Sequence, residues 1–132
     1  MSVGIDSESR FVHELRYHFI WCPKYHHPVL NVLEGELRDR LDTLVRRKAD
    51  DLDLEVLGVA TRSDHVHLCV TGDPRLAPDE IVRPIKEDVS RRLRDEFDVG
   101  LPSLWTGSYF VSTAESVPRE AVEEFVDAQT GD

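Results

Sequence analysis

Apolar positions change their spacing several times along the chain, and each change marks an element. Residues 13–22, "HELRYHFIWC", are dense in aromatic and β-branched side chains and predict a strand. Pro23 and Pro28 then bracket a loop that carries Lys24, Tyr25, His26 and His27. Over 35–50, Leu37, Leu41, Leu44 and Val45 recur at helical spacing among Arg and Asp, the pattern of an amphipathic helix. "LEVLGVAT" (54–61) and "HVHLCVTG" (65–72) read as two strands, and the short polar "TRSD" turn joins them as a hairpin. A second helix is expected over 79–97, with Ile81, Val82, Ile85, Val89 and Leu93 on one stripe. Pro84 falls inside it; an interior proline costs about 3 kcal/mol, so the helix either bends there or starts later. "LWTGSYFVST" (104–113) predicts a fourth strand, and Pro118 with Glu120 opens a last helix that runs to about Gln129. Residues 1–10 read as a loose start.

The order β-α-β-β-α-β with an added C-terminal helix is the ferredoxin-like plan of the α+β class. Its antiparallel sheet carries helices on one face. A length of 132 residues suits one domain spanning 1–132. That fold hosts many activities, so function has to come from side chains.

Composition removes some classes. No apolar run approaches the ~20 residues of a membrane span, and the polar start lacks a signal-peptide core. A cytoplasmic protein without a membrane partner is the expectation. Cys22 and Cys69 lie in apolar runs without Cys-x-x-Cys spacing, which points to reduced, buried thiols rather than a disulfide or zinc site. Asp and Glu number 26 against 16 Lys and Arg, a formal net charge of −10, and Lys24, Lys48 and Lys86 are the only lysines. An acidic, lysine-poor, halophile-like surface suits concentrated salt, where the Debye length shrinks to about 3 Å and carboxylate repulsion is screened. An ordinary acidic protein is the alternative. Taken alone, the charge argues against nucleic acid as a partner.

Candidate chemistry is concentrated in "RSDHVHLCV" (62–70). On a strand, His65 and His67 point to the same face, roughly 7 Å apart. They could hold one ion, or be two strand residues with satisfied ring nitrogens. In the last helix Phe125 and Gln129 are one turn apart and share a face. A Gln carbonyl oxygen suits a hard divalent cation, and imidazole suits several transition metals. Spacing alone leaves the metal site and the plain structural reading both open.

Four ordered blocks narrow the choice: "RYHFIWCPKYHHPVL", "SDHVHL", "LWTGSYFVST" and "FVDAQ". Together they resemble the HUH single-tyrosine transposases of the insertion-sequence families two-hundred and six-hundred-and-five, to which the REP-associated tyrosine transposases are related. The resemblance covers about residues 13–129. It implies binding of hairpins in single-stranded DNA at mobile-element ends. It also implies strand cleavage by a tyrosine, which leaves a 5′-phosphotyrosine and a free 3′-OH. A divalent metal, Mg²⁺ or Mn²⁺, would be held by His65, His67 and Gln129. The family's proteins are homodimers with joined sheets, in which the tyrosine helix can serve the other subunit. Lys24, Tyr25, Arg83 and Lys86 are the candidate DNA contacts.

Three positions depart from the family pattern. Phe125 stands where the resemblance places the nucleophilic tyrosine, and a phenyl ring has no hydroxyl. The chain is then a Tyr→Phe variant made to trap a complex, a natural copy that has decayed or been recruited for DNA binding, or one that uses another nucleophile. Tyr17, Tyr25 and Tyr109 are the only tyrosines, and water is the remaining attacking group. Glu87 follows Lys86 where relatives carry Gly, and Glu115 stands where Gly is usual after the fourth strand.

Overall fold

The computed structural model describes residues 4–5, 12–24, 34–97 and 103–129. Gly4–Ile5 (β1) pairs antiparallel with Val12–His13 (β2), so a short ladder lies where the residue pattern predicts only a loose start. Arg16–Trp21 (β3), Glu34–Asp51 (α1), Val56–Thr61 (β4), Val66–Thr71 (β5), Pro78–Glu96 (α2), Phe110–Ser112 (β6) and Arg119–Ala128 (α3) follow. Four strands make an antiparallel sheet in the order β4-β5-β3-β6. This is the ferredoxin-like arrangement: β3 and β5 are central, and the β4–β5 hairpin closes one side.

Strand alternation divides the side chains between the two faces. Phe19 and Trp21 from β3, with Val66, Leu68 and Val70 from β5, point to the inner face. They pack against Leu37, Leu41, Leu44 and Val45 of α1 and Ile81, Val82, Ile85, Val89 and Leu93 of α2. Each fully buried aliphatic side chain stabilises the fold by about 1.5–3 kcal/mol, so this layer holds α1 and α2 on the sheet. The helix α1 ends at Asp51; two residues on, Asp53 has a left-handed φ of 59°, and Leu54 N–H closes back on the Ala49 carbonyl at 2.9 Å. In α2 the Glu80 carboxylate accepts from Ala77 N–H at 2.8 Å and Pro78 sits in the first turn. The helix continues through Pro84, which settles the choice against a later start.

The fourth strand is shorter than the residue pattern predicts. Only Phe110–Ser112 pair with β3. Upstream, the segment is drawn toward α2: Trp105 Nε1–H donates to the Lys86 carbonyl at 3.1 Å. The Lys86 ammonium in turn donates to the carbonyls of Thr106 (2.9 Å) and Ser108 (3.0 Å). A bridge between Pro23 and Trp105 is what remains of the ladder there.

The third helix lies on the opposite, outer face. Ile20 points away from Phe19 and Trp21, and Phe110 is its register partner on β6. The Phe125 ring of α3 meets Phe110 with centroids 6.1 Å apart, and Val126 is buried beside it. The sheet is therefore covered on its inner face by α1 and α2 and on part of its outer face by α3.

At the end of β5 the backbone of Gly72 approaches Tyr17 closely. A Cβ there would lie 2.7 Å from Tyr17 Cε2 and 3.0 Å from Leu15 Cβ, while Gly72 N–H donates to the Leu15 carbonyl at 3.0 Å. Gly72→Ala is expected to destabilise by about 1–3 kcal/mol through overpacking, read as a lower urea midpoint at unchanged slope. An unchanged midpoint would mean that the Tyr17 ring moves aside freely.

Candidate functional site

The outer face of the sheet collects the polar chemistry. On β5 the sequence Val66, His67, Leu68, Cys69, Val70 alternates buried and half-buried side chains, so His67 and Cys69 turn outward. On β3 the outward positions are Arg16, His18 and Ile20, and on β6 they are Phe110 and Ser112. Ile20 pairs with His67 on one side and with Phe110 on the other. At the usual ~4.8 Å strand spacing, His67 and Phe110 are about 10 Å apart in one row. Phe125 rests on Phe110 with an interplanar angle of 56°. Residue 125 thus lies over the row that contains His67, although 58 positions separate the two in the chain.

The hydrogen bonds assign the ring nitrogens. His65 Nδ1 lies 2.8 Å from the Asp64 carboxylate, which can only accept, so Nδ1 carries the proton and, in the neutral ring, Nε2 holds the lone pair. The carboxylate–imidazole pair is the arrangement that orients many metal-binding histidines. His67 is held neutral, its pKa lowered from 6.5 to about 4, chiefly by burial and further by His18, His65 and Arg62 nearby. Its Nε2 lies 2.9 Å from Nδ1 of His18, with the rings edge-on at 68°. His18 is 8% exposed; its Nε2 faces the Glu115 carbonyl at 3.1 Å and Cys69 Sγ at 3.8 Å. Burial also pushes the Cys69 thiol upward, against a smaller pull from Arg16, which keeps it protonated.

Gln129 ends α3 as its C-terminal cap and is 8% exposed. Its Oε1 accepts from the Ser108 hydroxyl at 2.9 Å, just ahead of β6, rather than contacting an imidazole. Phe125 and Gln129 are one turn apart on α3, and the helix lays Phe125 against the outward-facing Phe110 while Gln129 reaches Ser108. Among the described residues, no three His, Cys, Asp or Glu side chains are gathered to hold an ion. An ion site here depends on the neutral Gln129 oxygen, which has a second lone pair beyond the one Ser108 occupies.

Of the candidate DNA contacts, Arg83 and Lys86 line one groove. Tyr25 lies outside the described residues, as do the adjacent His26 and His27. Lys24 follows β3, where its N–H donates to the Leu104 carbonyl. Arg83 is exposed on α2 but bound through two nitrogens to Asp79, which also accepts from the Tyr109 hydroxyl. Lys86 is buried, and its ammonium is engaged by the two carbonyls already named. A groove of about 410 Å³ runs beside these groups between α2 and the Ser103–Tyr109 segment, lined by Arg83, Arg91, Arg94 and Trp105.

His18 is not singled out by local spacing. The signal was present, since 16, 18 and 20 alternate with the aromatic inward set 17, 19 and 21. What it lacked was the pairing of β3 with β5, a long-range register that no local pattern carries.

An outer-face imidazole pair with an overlying terminal helix, on a ferredoxin-like sheet, is the frame of a transposase domain, and comparison with known proteins agrees. The chain belongs to the IS200-like transposase family, whose family model, described as "Transposase IS200 like", matches residues 11–129. It is 32% identical over 124 residues to the ISDra2 transposase TnpA of Deinococcus radiodurans, covering 90% of this chain and 86% of that one. A crystal structure from the same organism, described as a transposase, superposes with a TM-score of 0.85 at 28% identity. That match covers 97% of this chain and all of the other. The fold also resembles a REP-associated tyrosine transposase solved with a REP hairpin, at a TM-score of 0.56 and 14% identity over 93% of this chain and 69% of that one.

Proposed function

We propose that the chain binds hairpins of single-stranded DNA at the ends of a mobile element, and that its outer face is the strand-processing site. The observation that carries this reading is the shared row of His67, Ile20 and Phe110 with Phe125 lying over it. It sets residue 125 on the face that holds the imidazole pair. In this reading His65, His67 and Gln129 take up Mg²⁺ or Mn²⁺. The bound ion supplies positive charge to the scissile phosphate. His65 contributes Nε2, its ring oriented by Asp64, and His67 contributes a ring held neutral by burial. Phe125 occupies the nucleophile position and supplies no oxygen, so this chain binds and positions the strand without forming the phosphotyrosine link. A homodimer with joined sheets and a cytoplasmic setting complete the proposal.

A second reading has its own support. Phe125 packs at a tilt against Phe110 in an apolar stripe with Val126, a stable place for a phenyl ring. A chain that kept the fold solely as a hairpin-binding protein would look the same.

Fluorescence anisotropy with hairpin-bearing and scrambled single strands, with and without Mn²⁺, tests the proposal. Hairpin preference should appear, with Mn²⁺ uptake lost in His65→Ala. Equal affinity for both strands would remove it.

The charge pattern adds a prediction about salt. Arg40 is clasped by Glu96, Arg46 by Asp42, Arg75 by Asp73, Arg83 by Asp79, and both Arg91 and Arg92 by Asp88. Cations already neutralised within the protein release few counterions on binding. Log affinity should therefore fall with log salt at a slope of no more than about three phosphate contacts, near 0.7 per contact for single strands. Base stacking and hairpin shape then carry the affinity. A slope several times steeper would show that the arginines leave their carboxylates for phosphate.

A further inference from the structure

We propose that His18 is a positioning residue for the site: it fixes the tautomer and ring orientation of His67 and takes its own orientation from the Glu115 carbonyl. The inference rests on the metal reading of His67 given above. It follows from the direction of two hydrogen bonds. The Glu115 carbonyl can only accept, so His18 Nε2 at 3.1 Å is the donor. A neutral His18 that carries its proton on Nε2 has a lone pair on Nδ1. His67 Nε2, 2.9 Å away, must then donate to it. The lone pair of His67 is left on Nδ1, the nitrogen not engaged by His18. His65 is fixed in the opposite sense, with Nδ1–H on Asp64 and Nε2 open. Each imidazole therefore offers one lone pair, and each is fixed by a different neighbour.

The two neighbours differ in kind. Asp64 is beside His65 in the chain, so that pair is local. His18 comes from the adjacent strand β3, where its backbone partners are Cys69 and Ser112 rather than His67. Its other contact, Glu115, lies in the link between β6 and α3. A chain of polar contacts thus runs from the link that carries α3, through a buried imidazole, to the His67 ring. If that link shifts, His18 loses its acceptor and His67 loses the neighbour that selects its tautomer. The same histidine also approaches Cys69 Sγ at 3.8 Å, a contact too weak to set the ring by itself.

The test uses the full chain and Mn²⁺ alone. In the metal-free protein, above the imidazole titration range, ¹⁵N spectra of the histidine side chains should show His67 as a single Nε2–H tautomer. In His18→Leu that preference should be lost and Mn²⁺ affinity by calorimetry should fall about 10–100-fold, the usual effect of removing a group that orients a ligand. His18→Gln has an oxygen to accept from His67 and an amide N–H for Glu115, and should recover most of the affinity. A His67 found as the Nδ1–H tautomer in the unmodified protein overturns the proposal without needing any variant to fold. So does a folded His18→Leu that binds Mn²⁺ as well as the parent. A parent chain that takes up no Mn²⁺ removes the metal reading itself, and this inference with it; loss of uptake in His65→Ala but not in His18→Leu removes only the role of His18.

Discussion

Phe125→Tyr is expected to give the chain a nucleophile that forms a covalent adduct with DNA. Incubated with hairpin-bearing single-stranded DNA and Mg²⁺ or Mn²⁺, the variant should yield a protein–DNA species that survives a denaturing gel, and the parent should yield none. The phenolic oxygen would bond to phosphorus as the bond to the 3′ oxygen breaks, and the proton would pass to the departing 3′-OH. The position favours this outcome, because residue 125 lies over Phe110 in the row that contains His67 and is only partly buried. A para hydroxyl there does not have to displace core packing. Loss of a single nucleophile has cost an enzyme up to about 10⁶-fold in rate, which bounds the gain. Adding His65→Ala to the same variant should abolish the adduct while leaving the fold intact. Hairpin binding without any adduct from Phe125→Tyr would instead favour the recruited DNA-binding protein.

The element order was legible in the residue pattern because it rests on local spacing, and so was which candidate side chains share a face of one element. His65 and His67 share a face by strand period, and Phe125 and Gln129 by helix period. What the pattern could not carry was which elements meet. The apolar stripe of α3 predicts a buried face but not the outer side of the sheet as its platform. The shortening of the fourth strand arises from Lys86 and Trp105 binding each other's segments across α2, a tertiary effect. His18 needed the β3–β5 register before its position beside His67 had meaning. The two-residue ladder of β1 and β2 is too short to leave a periodic signal.

Lys86→Met is expected to destabilise the fold by roughly 2–4 kcal/mol, because it removes two charge-assisted hydrogen bonds from carbonyls that have been drawn to the ammonium. The residue reads from sequence as a phosphate contact, yet it sits in the α2 stripe between Val82 and Val89 and is 8% exposed. Its pKa is lowered from 10.5 to about 8, chiefly by burial and then by Arg83. The sign of the pH effect follows. Between pH 8 and 10.5 the unfolded chain binds the proton and the folded one releases it, so folding stability from this group rises with pH. Below pH 8 both states hold the proton, and the full penalty for burying the ammonium is present. The difference in melting temperature between parent and Lys86→Met should therefore widen as pH climbs through that window. The consequence reaches the site, because the Ser108 carbonyl that Lys86 holds belongs to the residue whose hydroxyl donates to Gln129. Lys86→Met should weaken Mn²⁺ uptake along with stability. If Lys86 were an exposed phosphate contact, the variant would keep its melting temperature and Mn²⁺ affinity and lose only DNA affinity, with a salt slope shallower by about 0.7. Thermal melts across the pH window and one salt titration separate the two outcomes.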